Sequence, residues 1–161
     1  MNAQAHPSPL LVTAFNGRVF AYDRASGRTA WSFSVPGKSV PGVRPRPTHA
    51  EVHEGRVFVF AGGAEGSWTK RVFFEVHALD SASGHPHWSR RVDAGPVTNF
   101  SCATVLVEAG QVIISFEGVL AAFQADTGQP QWTRTSEHAD GGIHAPHLQM
   151  CVQGARAQRV T

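Results

Sequence analysis

Several things are scarce in this chain of 161 residues, and each scarcity excludes a class of protein. Only two residues are cysteine, Cys102 and Cys151, so no disulfide framework holds the fold. Charged residues make up only 16%, and the 14 Lys and Arg are scattered, giving a formal charge of +2. That is too little basic density for a nucleic-acid or anionic-membrane binder. No apolar run approaches the roughly 20 residues of a membrane-spanning helix. The first nine residues, Met1 to Pro9, have neither a basic stretch nor an apolar one of the kind that marks an export signal. The expectations that follow are a cytoplasmic location and two reduced thiols.

What is plentiful is apolar and turn-forming. Hydrophobic residues make up 42%, with 16 Gly and 10 Pro. One domain of this length buries a core without staples.

The chain repeats itself. Ala21-Tyr-Asp23-Arg-Ala-Ser26-Gly27-Arg-Thr-Ala-Trp31 aligns without a gap to Ala78-Leu-Asp80-Ser-Ala-Ser83-Gly84-His-Pro-His-Trp88. Both align to Ala122-Phe-Gln124-Ala-Asp-Thr127-Gly128-Gln-Pro-Gln-Trp132, where Gln replaces Asp. Trp31 precedes Trp88 by 57 residues, and Trp88 precedes Trp132 by 44. The shorter step is about one propeller blade, and the longer is a blade with an insertion. Each copy reads as a strand ending at Asp, a turn in which Gly supplies positive φ, and a return strand carrying Trp. Earlier strands are legible at Leu10–Phe15, Val57–Phe60 and Val112–Phe116, and before those at Thr48–His53 and Ala103–Val107.

These units resemble the repeats of the PQQ-like, or quinoprotein-type, β-propeller family. The resemblance implies that Trp31, Trp88 and Trp132 dock on neighbouring blades, with Gly27, Gly84 and Gly128 as the docking surfaces. It also implies an all-β fold of about three four-stranded antiparallel blades. The boundaries are a tail over 1–9, blade 1 over 10–35, blade 2 over 47–93 and blade 3 over 101–135. Residues 147–153 are read as a closing inner strand, and the polar stretch 155–161 as poor strand material.

Three blades do not close a ring, since propellers typically have four to eight. The expected partner is therefore a second copy, giving six blades as a homodimer. A different half-propeller chain or a truncated ring is the alternative. Quinoprotein dehydrogenases resemble the chain in the repeat only: they build a longer ring and carry a vicinal cysteine pair that is absent here. No cofactor is expected.

Outside the repeat, the insertion Ala61 to Arg71 reads as a Gly-rich loop. Its Trp68, Lys70 and Arg71 are candidate protein-binding residues, an aromatic anchor with cationic neighbours. Its glycines do not match a P-loop. His138, His144 and His147 cluster near Asp140 before the closing strand, but their spacing matches no zinc pattern. They are kept as binding candidates, with no metal site assigned. His49 and His53 lie some 13 Å apart along a strand, too far to share an ion. Arg44-Pro-Arg46-Pro reads as a stiff connector. No catalytic motif is present. The expected function is a non-enzymatic protein-binding or scaffolding propeller that binds an unidentified protein, with no nucleic acid and no membrane. The alternatives are a lectin-like carbohydrate-binding propeller and a metal-dependent enzyme.

Overall fold

Strands of the repeat carry continuous apolar runs, such as Val57–Phe60 and Val112–Ile114, so both faces of a sheet built from them need covering. The computed structural model shows how they are covered. It describes residues 8–37, 46–66, 71–93, 103–116, 118–135, 151–152, 155–156 and 158–160.

Blade 1 is a sheet of β1 (Leu10–Phe15), β2 (Arg18–Asp23) and β3 (Thr29–Ser34), in that order. Blade 2 has β4 (Thr48–His53), β5 (Arg56–Glu65), β6 (Arg71–Asp80) and β7 (Pro86–Asp93). Blade 3 has β8 (Ala103–Glu108), β9 (Gln111–Phe116), β10 (Val119–Gln124) and β11 (Pro130–Thr135). All neighbours within a blade are antiparallel. This is the all-β, partial-propeller architecture expected from the repeat.

Each blade slips register at the same place, between Ala21 and Tyr22, Ala78 and Leu79, and Ala122 and Phe123. The repeated Ala therefore marks a bulge that re-aims the Trp strand. Tight hairpins join β1 to β2, β4 to β5 and β8 to β9. Both turn residues have positive φ in each: Asn16 and Gly17, Glu54 and Gly55, Ala109 and Gly110. That is the primed turn whose twist suits a hairpin.

Blade 2 lies between the other two, and its strands alternate accordingly. Val57, Val59, Ala61 and Leu79 pack with Val19, Ala21, Trp31 and Val35 of blade 1. Phe58, Phe60, Val72, Phe74 and Val76 point the other way, against Val105, Ile114, Phe116 and Phe123 of blade 3. Phe60 stacks on Phe74 at 6.3 Å and Phe74 on Phe116 at 5.6 Å. Each fully buried Phe contributes roughly 1.5–3 kcal/mol.

Two segments differ from expectation. The insertion in blade 2 is mostly not a loop: Ala61 to Glu65 continue β5 and pair with Glu75 to Arg71 of β6. Of the closing strand expected over 147–153, the described part is β12 (Cys151–Val152), which pairs with β13 (Ala155–Arg156); the rest of that span lies outside the described residues. The polar stretch read as poor strand material contains β13 and β14 (Gln158–Val160), and β14 adds a fifth strand to blade 3 beside β8. Backbone pairing along an open sheet edge requires no apolar side chains, which is why composition misjudged this segment.

Candidate functional site

The repeated turn is built by its own side chains. Asp23 Oδ1 accepts hydrogen bonds from Ser26 N and Ser26 Oγ, both at 2.7 Å. Asp80 Oδ1 accepts from Ser83 N at 2.8 Å and Ser83 Oγ at 2.7 Å. In blade 3, Thr127 Oγ1 donates to Gln124 Oε1 at 2.9 Å, so the amide takes over the acceptor role. The hydrogen bonds from Ser26 and Ser83 hold the Asp23 and Asp80 carboxyls below the usual carboxylate range.

These turns seat the tryptophans. A Cβ on Gly84 would stand 2.6 Å from Trp31 Cε3, and one on Gly128 would stand 2.5 Å from Trp88 Cδ2. Both glycines also have positive φ, +73° and +67°. The missing side chain is therefore what admits the indole. Trp31 Nε1 donates to the Ser81 carbonyl at 3.0 Å, and Trp88 Nε1 to the Ala125 carbonyl at 2.9 Å. Arg90, two residues past Trp88, adds a bond from Nε to the Gly128 carbonyl at 2.6 Å. Buried in this way, Trp31 and Trp88 have no face left for stacking a sugar. Trp132 is different, being 40% exposed.

Among the insertion residues, Arg71 is exposed at the start of β6, opposite Glu65. Trp68 and Lys70 lie outside the described residues, as do His138, His144 and His147. No group of three or more His, Cys, Asp or Glu that could hold a metal occurs among the described residues.

Arg46, read from sequence as part of a stiff connector, clamps blade 1 to blade 2. Its Nε donates to the Gly62 carbonyl at 2.7 Å, Nη1 to the Pro36 carbonyl at 3.0 Å and Nη2 to Glu75 Oε2 at 2.5 Å. Its backbone N–H donates to Asn16 Oδ1 at 2.8 Å. His77 Nε2, nearly buried, stands 3.6 Å from Glu75 Oε2, just beyond hydrogen-bond length. Burial alone would raise the Glu75 carboxyl, but the adjoining His77 and the Arg46 charge outweigh it and hold the group low. The only sequence signal for this clamp was an Arg flanked by prolines that stiffen its approach.

On the edge strand β4, His49 and Glu51 share a face. His49 Nε2 and Glu51 Oε2 are buried atoms without a hydrogen-bond partner among the described residues. Burial lowers the pKa of His49 and raises that of Glu51, the latter partly offset by His53. Both shifts are in the direction of the neutral forms.

The profile of a family described as outer membrane protein assembly factor BamB matches residues 9–161. The chain is 24% identical over 139 residues to outer membrane protein assembly factor BamB of Burkholderia pseudomallei (strain K96243). That alignment covers 82% of this chain and 34% of the relative, so the chain spans about a third of the relative's length. Among solved structures, quinohemoprotein alcohol dehydrogenase ADHIIG from Pseudomonas putida HK5 superposes with a TM-score of 0.58 at 17% identity. That match covers 79% of this chain and 25% of that one. A europium-containing methanol dehydrogenase gives 0.52 at 16% identity, covering 78% of this chain and 22% of that one.

Two expectations are corrected by these matches. The expectation that the chain is not an enzyme is overturned as a deduction from its repeat, because the same blades are found within two dehydrogenases. The expected cytoplasmic location is also overturned. The matching relative is named for outer membrane assembly, which points away from the cytoplasm. The three-blade sheets, the seated tryptophans and the match over residues 9–161 lead to one conclusion: the chain belongs to the PQQ-type β-propeller family described as outer membrane protein assembly factor BamB.

Proposed function

We propose that this chain is a protein-binding module serving assembly, which uses the prolonged β5–β6 hairpin as its contact arm. The observation that carries the reading is the length of that hairpin. Its strands have 10 residues each, while the corresponding β9 and β10 of blade 3 have 6. Its base packs on blade 3 through Val72 and Phe74, and its far end is braced. Arg91 of β7 donates to both oxygens of Glu65, at 2.6 and 3.1 Å, and to Asp93 Oδ1 at 2.7 Å. The Arg91 guanidinium also lies over the Phe73 ring, 3.8 Å from its centre. A stiff base spares the arm part of the ordering cost of binding. The segment that joins the two strands carries Trp68 and Lys70, the residue types that anchor interfaces. The relative's name, an assembly factor, supports a protein partner.

A photo-crosslinking amino acid placed at Trp68, at Arg71 and, as a control, at Ser89 on the exposed side of β7 tests this. Crosslinks to outer-membrane assembly proteins in an envelope fraction, concentrated at positions 68 and 71, are the expected result. The same products at all three positions, or none at 68, would remove the arm from the binding surface.

A further inference from the structure

The β5 side of the arm begins with residues that hold a strand poorly. Gly62 and Gly63 bring no side chain to the sheet, and glycine inside a strand weakens it. What orders them comes from elsewhere. Phe73, the cross-strand partner of Gly63, lays its ring over that position, where a Cβ would overlap Cζ. An aromatic ring across a strand glycine supplies the cover that the glycine lacks. The Gly62 carbonyl accepts from Arg46 Nε at 2.7 Å.

We infer that the order of the arm is conditional on the seam between blades 1 and 2: Arg46 and Phe73 are positioning residues that carry the closed seam into the arm, and opening the seam loosens it.

Arg46 faces both ways. Toward blade 1, its Nη1 donates to the Pro36 carbonyl just past β3, and its backbone N–H donates to Asn16 Oδ1 in the β1–β2 turn. A Cβ on Gly17 of that turn would stand 3.4 Å from Arg46 Cδ, so the stem of the side chain lies against blade 1. Toward the arm, Arg46 holds the Gly62 carbonyl, pairs with Glu75 and lies over the Phe73 ring, 5.9 Å from its centre. The same ring receives Arg91 at 3.8 Å, and Arg91 is tied to Glu65 at the far end of β5. Contacts therefore run unbroken from the blade 1 turn through Arg46, Phe73 and Arg91 to Glu65. Two cations over one ring would repel each other, but each has its own carboxylates, Glu75 for Arg46 and Glu65 with Asp93 for Arg91. If blade 1 moves away, Arg46 loses Pro36 and Asn16, and with them its fixed approach to Gly62 and Phe73. The consequence for binding rests on the proposed role of the arm: a partner that needs a stiff arm selects chains whose seam is closed.

The experiment is residue-resolved native-state hydrogen exchange on the full chain, comparing the arm amides of Gly63 to Glu65 with those of β9 in blade 3 as reference. Phe73→Leu keeps apolar bulk and removes the aromatic face. It is expected to speed exchange in the arm about two- to fivefold relative to β9, the size of a partly exposed cation–π contact. Arg46→Met combined with Glu75→Gln, which leaves no unpaired charge, is expected to do the same or more. Val19→Ala opens the seam from the blade 1 side, where Val19 packs with Val57 and Val59 away from the arm. It should also speed arm exchange, but add little in the background of Arg46→Met and Glu75→Gln, because the link is already cut. Arm amides unchanged in Phe73→Leu overturn the inference. So does Val19→Ala loosening the arm equally with and without Arg46. Exchange is read without any partner, so an absence of crosslinks at Trp68 would remove the binding role and leave this coupling standing.

Discussion

At the scale of single residues, the three repeat glycines have the same backbone conformation and different surroundings. The cost of a methyl group should therefore separate them. Gly84→Ala and Gly128→Ala place a Cβ into Trp31 or Trp88 as well as straining a positive φ. Each is expected to cost about 2–4 kcal/mol, measured by urea unfolding. Gly27→Ala meets no atom and pays for the φ alone, about 1–2 kcal/mol. Equal losses at the three positions would show that the tryptophan seats are not the reason for glycine. The turn carboxylates give a pH dependence. Asp23 and Asp80 have pKa values held low by Ser26 and Ser83, so the folded state binds fewer protons than the unfolded. Their contribution is complete above the ordinary carboxylate pKa, near 4, and is lost as pH falls through the lower folded values. Asp80→Asn should flatten the stability curve in that acid range and lower stability near pH 7, where the Asp80 contribution is complete. The Asp, Ser and Gly of these turns were legible in sequence because the turn uses only residues within a few positions of one another. The clamp at Arg46 was not, because it reaches Glu75 and Gly62 across a blade boundary.

At the scale of elements, two features invite measurement. Arg46→Ala removes the guanidinium paired with the half-buried Glu75 and frees the Gly62 and Pro36 carbonyls. The expected loss is about 2–4 kcal/mol, and Glu75→Gln recovers part of it in the double variant because no unpaired charge then remains. A double variant no better than Arg46→Ala alone would mean that packing, and not charge, dominates the clamp. The β8–β9 turn offers the opposite test. Ala109 sits at φ 46°, a conformation that Asn adopts more readily than Ala. Ala109→Asn should stabilise the fold by about 0.5–1 kcal/mol by thermal unfolding, with no change in the spectra of the folded state. Strand positions were readable wherever apolar alternation met a turn signal, as at Thr48–His53 and Val112–Phe116. The arm of β5 and β6 was missed because Gly62, Gly63 and Ala64 carry no strand signal of their own. Pairing with Phe74, Phe73 and Val72 is what extends them.

At the scale of the whole molecule, the blades behave as a row of interfaces, each held by its nearest neighbours. Trp88→Ala empties the boundary between blades 2 and 3 and should cost about 3–5 kcal/mol. Trp132→Ala, on a residue 40% exposed, should cost under about 1 kcal/mol in dilute protein, with the difference read from urea midpoints at constant slope. A similar loss at the two positions would mean that Trp132 already has an intrachain seat.

The amino-acid sequence alone determined the blade: a strand, an Asp-to-Gly turn and a Trp strand, repeated at blade spacing. Local hydrogen bonding and alternation of apolar residues suffice to encode such a unit. Only the tertiary structure decided which seats are filled, where Arg46 reaches and how β14 extends blade 3. Those outcomes depend on contacts between residues far apart in the chain, and no local pattern records whether an indole that fits a seat has found one.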